Sequence, residues 1–296
     1  MLSWEYILQQ LFNGVVVGAM YALLALGMTV IYGILRLIHF AHGALITVGA
    51  FCSYLCFMKL GVPFIATIFI VIAFGAFTGI ILDVVAYKKV VGGPEVTLLI
   101  TSLGFYIFIE NFMKLVVSPQ PYPFHPPEFL TKIYSNGITF RAIDIFTIVV
   151  SIAIMVAFQM FIKKTKMGKA MIATAENAEA ARMVGINTNR IISIAFIVAS
   201  AIAAITGFMW GAKYGQISYD MGFIAGVNAF VAIVIGGVGS IPGAMVGGFV
   251  LGMLSMFSVA FLPPGFAAFR DGIVFFILII ILIVKPSGIF GQKAAI

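Results

Sequence analysis

KKTKMGKAMIATAENAEAARMVGINTNR, residues 163–190, is the longest polar interruption in an otherwise apolar chain. It carries Lys163, Lys164, Lys166, Lys169, Arg182 and Arg190 against two acids, Glu176 and Glu179. An apolar run of spanning length lies on each side. Within the stretch, 170–184 is rich in Ala, Met and Glu, all good helix formers. Gly185 stands where a helix C-cap would. The stretch therefore reads as a short helix lying outside a bilayer, between two membrane spans. A plain basic loop would need only the lysines; it would not need a small-residue helix closed by a glycine.

The composition agrees. Of 296 residues, 62% are hydrophobic and 9% charged, against about 45–50% and about 25% in soluble domains. Several runs reach the ~20 apolar residues needed to cross the hydrocarbon core. They lack the alternation of a transmembrane β-barrel. The expected fold class is all-α: a polytopic helical membrane protein of about nine spans, eight to ten at the limits, with broken or short helices and an internal repeat. The spans fall near 10–32, 42–58, 64–87, 96–117, 144–162, 191–212, 223–236, 243–262 and 270–284. Positive loops stay cytoplasmic. Placing 163–190 inside puts 33–41, 88–95, 237–242 and 285–296 inside too, with eleven of the 17 basic residues, among them Lys293. The N-terminus is then outside and the C-terminus inside. The net charge of +7 belongs to such loops and implies no nucleic-acid partner. MLSWEYILQQ has no Lys or Arg, so it lacks the basic region of a cleaved signal peptide, and the first span is expected to stay.

The repeat rests on two short breaks. His42-Gly43-Ala44-Leu45 corresponds to Pro242-Gly243-Ala244-Met245, each following an apolar run and opening a helix with small residues. Paired interruptions in two halves point to where a transporter binds its substrate. Gly43 and Ala44 would also leave helix N–H groups uncovered, an arrangement that attracts carboxylates; a tight turn accounts for them equally. Small residues recur at helix-packing spacing: Ala199, Ala203, Gly207 and Gly211, with Ser200 and Ala204 beside them, and the pairs Gly14/Gly18, Gly75/Gly79 and Gly248/Gly252. Whether these ridges meet another span or a partner subunit is open at this point. The outer stretch 118–143 contains five prolines between Pro119 and Pro127, which favour stiff, extended, polyproline-like backbone. It is too small for a receptor domain, so external capture of a ligand falls to another protein.

Few residues carry chemistry. The only Gly-Lys pair, Gly168-Lys169, lacks the rest of a phosphate-binding P-loop. His39 and His42 are three apart with no third ligand evident, and Cys52 and Cys56 share a helix face without one, so no metal site is expected. Asp83 and Glu110 lie inside spans, where ionisable groups are costly. Asp83 is close enough to Lys88 to reach the cytoplasmic interface with it. Glu110 either lines a pathway or pairs with Lys114 one turn on. No paired carboxylates or Ser–His–Asp set suggests an enzyme.

Glu179-Ala180-Ala181, three residues, then Gly185 resembles the Glu-Ala-Ala-x-x-x-Gly signature of ABC importer permeases. The Ile-x-Leu-Pro that often follows is replaced by Ile191-Ile192-Ser193-Ile194-Ala195, a departure that resembles the LivH-type permeases of branched-chain amino-acid importers. His39-Phe40-Ala41-His42-Gly43 is similar to their Asn-Phe-Ala-His-Gly motif, with His39 for Asn and Ala44 where Glu is frequent. Gly236-Gly237-x-Gly239-Ser240-x-x-Gly243 is similar to their Gly-Gly-x-Gly-Ser-x-x-Gly signature, and Gln10 to Gly14 and Tyr21-Ala22-Leu23 with Gly27 also match.

The resemblance implies one transmembrane permease domain over 1–296 with a cytoplasmic coupling loop at 163–190. It implies a bacterial cytoplasmic membrane and import of branched-chain or related amino acids. The partners would be a second permease in a heterodimer, two ATPases that bind the ATP, and an extracytoplasmic binding protein; this chain itself would hold no cofactor. The expected ATPase-coupling residues are Glu176, Glu179, Ala180, Ala181 and Gly185. The expected pathway residues are His42, Gly43, Ala44, Glu110, Gly236, Gly237, Gly239, Ser240 and Gly243. The alternative is a stand-alone secondary transporter or channel for a small polar solute, which would need more charge at midplane than this sequence offers.

Overall fold

Each of the nine apolar runs forms a helix, because a backbone in lipid must satisfy its own hydrogen bonds. The computed structural model describes residues 3–37, 39–117, 119–262, 269–285 and 287–290. Lys293, counted above among the inner basic residues, lies outside them. The helices are α1 (Trp4–Leu35), α2 (Ala41–Tyr54), α3 (Phe64–Ile81), α4 (Glu95–Val116), a short α5 (Glu128–Thr131), α6 (Ala142–Lys164), α7 (Lys166–Glu176), α8 (Ala178–Met183), α9 (Thr188–Tyr214), α10 (Met221–Gly236), α11 (Ile241–Phe261) and α12 (Arg270–Val284). Wider π-helical turns extend α2 through Leu55–Lys59 and α3 through Leu82–Tyr87. Among the described residues, seven helices, α2 and α3 taken with their π-helical extensions, are long and apolar enough to cross a membrane. Two apolar helices are short: α10, of 16 residues, reaches only about 24 Å, and α12 is shorter still.

Glycine ridges set the packing. Gly14 and Gly18 on α1 face Gly252 and its neighbours on α11, and Ala22 faces Gly248; a Cβ on Gly252 would overlap the Gly18 backbone. The α9 ridge also meets spans of this chain: Ala204 packs on Gly49 of α2 and Gly75 of α3, Ser200 on Gly79, and Gly207 on the Ile46 carbonyl. Backbones this close gain dispersion and weak polar contacts that larger residues would forbid. The opposite faces of α3 and α4 are apolar and exposed, with Phe69, Phe77, Phe108 and Phe112 among them. That is the pattern of a lipid-facing surface.

α10 crosses the bundle. The Gly222 N–H donates to Thr47 Oγ1 on α2 at 3.1 Å. Asn228 donates to the Tyr21 hydroxyl on α1 at 3.1 Å. Gly236 packs on Gly243 of α11, and a Cβ at Gly247 would overlap the Ala232 carbonyl.

One end of the bundle carries 36–37, 39–40, 88–94, 165–187, 237–240 and 287–290; the other carries 60–63, 119–141 and 215–220. The second end is more structured than a stiff proline loop. Strands β1 (Tyr122–Pro123) and β4 (Gln216–Ile217) pair antiparallel, and β2 (Ile133–Asn136) pairs with β3 (Ile138–Arg141) around Gly137. The prolines keep β1 extended; its partner strand holds it. Asp144, at the start of α6, is buried and accepts from Lys213 Nζ of α9 at 2.6 Å, tying those helices together.

Candidate functional site

The polar stretch folds as two helices. Thr165 caps α7 by accepting the Gly168 N–H at 2.9 Å. At Asn177 the backbone turns extended, and its side chain accepts the N–H groups of Glu179 and Ala180, both at 3.0 Å. The single helix expected over 170–184 is therefore broken there, because an asparagine side chain competes for the backbone donors that a continuous helix would use. Gly185 does end α8, with φ +85°. The Ile186 N–H reaches the Ala181 carbonyl and the Gly185 N–H the Arg182 carbonyl, both at 3.0 Å. These are the two bonds of a Schellman cap.

The expected coupling residues divide. Glu176, Glu179 and Ala180 are exposed. Ala181 is only 3% exposed and packs within its own chain, so it does not present itself to a partner. Arg182 does not neutralise Glu179; its Nε donates to Thr188 Oγ1 at 2.8 Å. The sequence reading missed Met183 and Val184, which are 88% and 78% exposed at the end of α8. Two apolar residues just before the capping glycine of a polar loop were the available signal.

A cavity of about 480 Å³ opens beside α7. Its walls include Thr29, Tyr32 and Arg36 from the end of α1, Met171 and Glu176 from α7, and Gly239. It thus joins one expected coupling residue, Glu176, to one expected pathway residue, Gly239. Arg36 was not among the site residues expected. It has φ +51°, the one left-handed non-glycine among the described residues. Such strain concentrates at functional positions. The buried Thr29 Oγ1 has no partner. An acid, a base and a hydroxyl between apolar walls suit a small zwitterion.

The other pathway residues are packed. His39 and His42 are fully buried. His39 Nδ1 shares a 2.6 Å hydrogen bond with the Tyr87 hydroxyl, and its ring meets Phe196 edge-on at 5.3 Å. His42 lies against Gly27. The first N–H groups of α2 are not open to a carboxylate: those of His42 and Gly43 bond the His39 and Phe40 carbonyls at 3.1 and 3.2 Å. Gly43 itself abuts Gly222 and Gly226 of α10, and Ala44 is buried. Ser240 caps α11 by accepting the Gly243 N–H at 3.1 Å. Gly236 and Gly237 meet the segment that follows α12: Gly288 lies against Gly237, and the Ile289 and Phe290 N–H groups donate to the Ile235 and Gly236 carbonyls at 2.8 and 2.9 Å. The two breaks are therefore not brought together; Gly43 contacts the start of α10 and Gly243 its end. Glu110 is half-buried on α4, one turn beyond Tyr106. Lys114 stands 5.3 Å over the Tyr219 ring, and no Glu110–Lys114 ion pair is seen among the described residues. Asp83 does pair with Lys88, at 3.4 Å.

Tight glycine-packed helices, broken segments inside the bundle, an apolar outer face and a polar cavity at one end define a polytopic membrane permease. A model of the family described as the permease component of branched-chain amino acid transport systems matches residues 10–282, and the chain belongs to that family. It is 36% identical to the "High-affinity branched-chain amino acid transport system permease protein LivH" of Salmonella typhimurium, over 97% of this chain and 96% of that protein. It is 35% identical to the corresponding protein BraD of Pseudomonas aeruginosa, over 96% of each. Among solved structures, PsaBC from Streptococcus pneumoniae in complex with Fab superposes with a TM-score of 0.52 at 12% identity, covering 94% of this chain and 92% of that one. That likeness is one of fold.

Proposed function

We propose that this chain is the transmembrane permease subunit of an ATP-driven importer of branched-chain or related amino acids, working as a single transmembrane domain. The observation that carries the reading is α8. It is a short helix outside the apolar bundle, capped at both ends, that presents Glu179, Met183 and Val184 to solvent. Exposed apolar side chains beside a charge are what a protein groove takes up. α8 is continuous through α7 with the cavity that holds Arg36 and Glu176. A push on α8 would therefore reach the walls of that cavity. The names of the relatives support the substrate class.

In this reading the ends bearing α7 and α8 face the cytoplasm, which places the larger share of the basic residues there. ATP is bound by two separate ATPase subunits. A second, related permease completes the pore, and an external binding protein delivers the amino acid in the bacterial cytoplasmic membrane. Arg36 would take the substrate carboxylate and Glu176 its ammonium as it leaves.

The test is purification of the tagged chain in mild detergent from its native host, followed by reconstitution. Co-purifying ATPase chains and ATP-dependent leucine uptake are the expected result. A lone protein that transports leucine down an ion gradient would replace this reading with the stand-alone transporter.

A further inference from the structure

At the inner end of α3 the backbone widens into the π-helical segment Leu82–Tyr87, a deformation that recurs at functional sites. It carries Asp83, whose side chain is fully buried. One carboxylate oxygen is occupied: Oδ2 accepts from the Ser193 hydroxyl and faces Lys88 Nζ at 3.4 Å. The other, Oδ1, is buried and has no partner. A buried acceptor left unmade bears its full desolvation penalty. Asp83 nonetheless belongs to the lining of a cavity of about 440 Å³ whose other polar walls are Lys88, Arg182 and Asn189. This cavity shares no residue with the one at Arg36.

The charges decide what fits. A simple anion would be drawn by Lys88 and Arg182 but would leave Oδ1 unpaired and face its charge. A simple cation would satisfy Oδ1 but meet two basic side chains. A molecule with both charges satisfies all three groups. We infer that this cavity binds a small zwitterion, a primary ammonium carried close to a carboxylate or phosphate, with the ammonium on Asp83 Oδ1 and the anionic group between Lys88 and Arg182. Two sources offer that chemistry at this end of the bundle. One is a free α-amino acid. The other is the ethanolamine phosphate head of a lipid, since the exposed Val84 and Val85 of the same π segment adjoin the site on the apolar surface.

Arg182 belongs to α8, so the bound zwitterion ties the end of α3 to α8. That consequence rests on the coupling role proposed above: an occupied site restrains α8, and an amino acid bound there acts as feedback from the product side.

The experiment uses the full chain with its co-purified partners, in detergent stripped of lipid. Leucine, O-phosphoethanolamine, inorganic phosphate and ethylamine are titrated separately, with the thermal midpoint and heat of binding as readouts. One of the two zwitterions is expected to bind and raise the midpoint, and which one names the source. Phosphate and ethylamine alone are expected to be weaker by roughly tenfold or more, as is the zwitterion against Asp83→Asn. Lys88→Gln, at a side chain 47% exposed, is expected to give the same loss, each variant's shift being read against its own ligand-free midpoint because Lys88 also pairs with the buried Asp83. Binding that survives both substitutions, equal binding of phosphate alone, or no binding of either zwitterion overturns the inference. None of these readouts needs ATP, so a failure of coupled uptake with intact binding counts against the proposed function only.

Discussion

The Gly222 N–H donates to Thr47 Oγ1 at 3.1 Å, fastening the first turn of α10 to α2 deep in the bundle, where Gly43 and Gly222 meet backbone to backbone. Both helices open at that contact inside the protein. Thr47→Val keeps the shape and removes the acceptor, leaving a buried N–H unpaired, at a cost of about 1–3 kcal/mol. The thermal midpoint of the purified chain should fall for Thr47→Val and recover for Thr47→Ser. Equal stability of Val and Ser variants would mean that this bond does not hold α10. Gly43→Leu should be worse than either, since its side chain would enter the Gly222 backbone, and it should depress uptake even where assembled complex is recovered.

Met183 and Val184 are expected to be contact residues for the ATPase. Met183→Asp places an unpaired charge in a docked interface, and loss of such a contact costs ~2 kcal/mol at a hot spot, more than tenfold in affinity. ATPase co-purification and permease-stimulated ATP hydrolysis should drop by that factor while the permease's own melting stays unchanged. Wild-type values for both would leave α8 a topogenic segment only. Ala181→Leu is a poorer probe, because Ala181 is buried within the chain and added volume there disturbs α8 itself.

Arg36 sets stability against function. Its left-handed backbone, φ +51°, costs about 1–2 kcal/mol that glycine would not incur. Arg36→Gly is expected to hold or raise the thermal midpoint, yet to lower leucine uptake by removing the base from the cavity with Glu176. Unchanged uptake would take that cavity off the substrate's route.

Orientation is readable by thiol labelling, because Cys52 and Cys56 are both buried and contribute little background. A cysteine replacing the exposed His125 should react with an impermeant maleimide in intact spheroplasts, and one replacing the exposed Lys169 only after lysis. The reverse pattern would turn the chain over and detach α8 from any cytoplasmic ATPase.

The nine apolar helices, the two breaks near His42 and Pro242, and the cap at Gly185 were all legible in the linear chain, since each rests on a local quantity: the run length that crosses a bilayer, helix propensity, or the left-handed turn that glycine permits. The break at Asn177 was legible in principle, as its side chain acts on donors two and three residues away. What the tertiary structure alone decided is which surfaces meet. The ridges at Gly18, Gly49, Gly75 and Gly252 look alike as text. Only the three-dimensional arrangement pairs Gly18 with Gly252 and brings Gly49 and Gly75 to Ala204, because close approach depends on the relative position and tilt of two helices and not on the spacing within one. The same holds for the cavities: Arg36, Glu176 and Gly239 line one, and Asp83, Lys88 and Arg182 line another, through contacts between segments that sequence separation conceals.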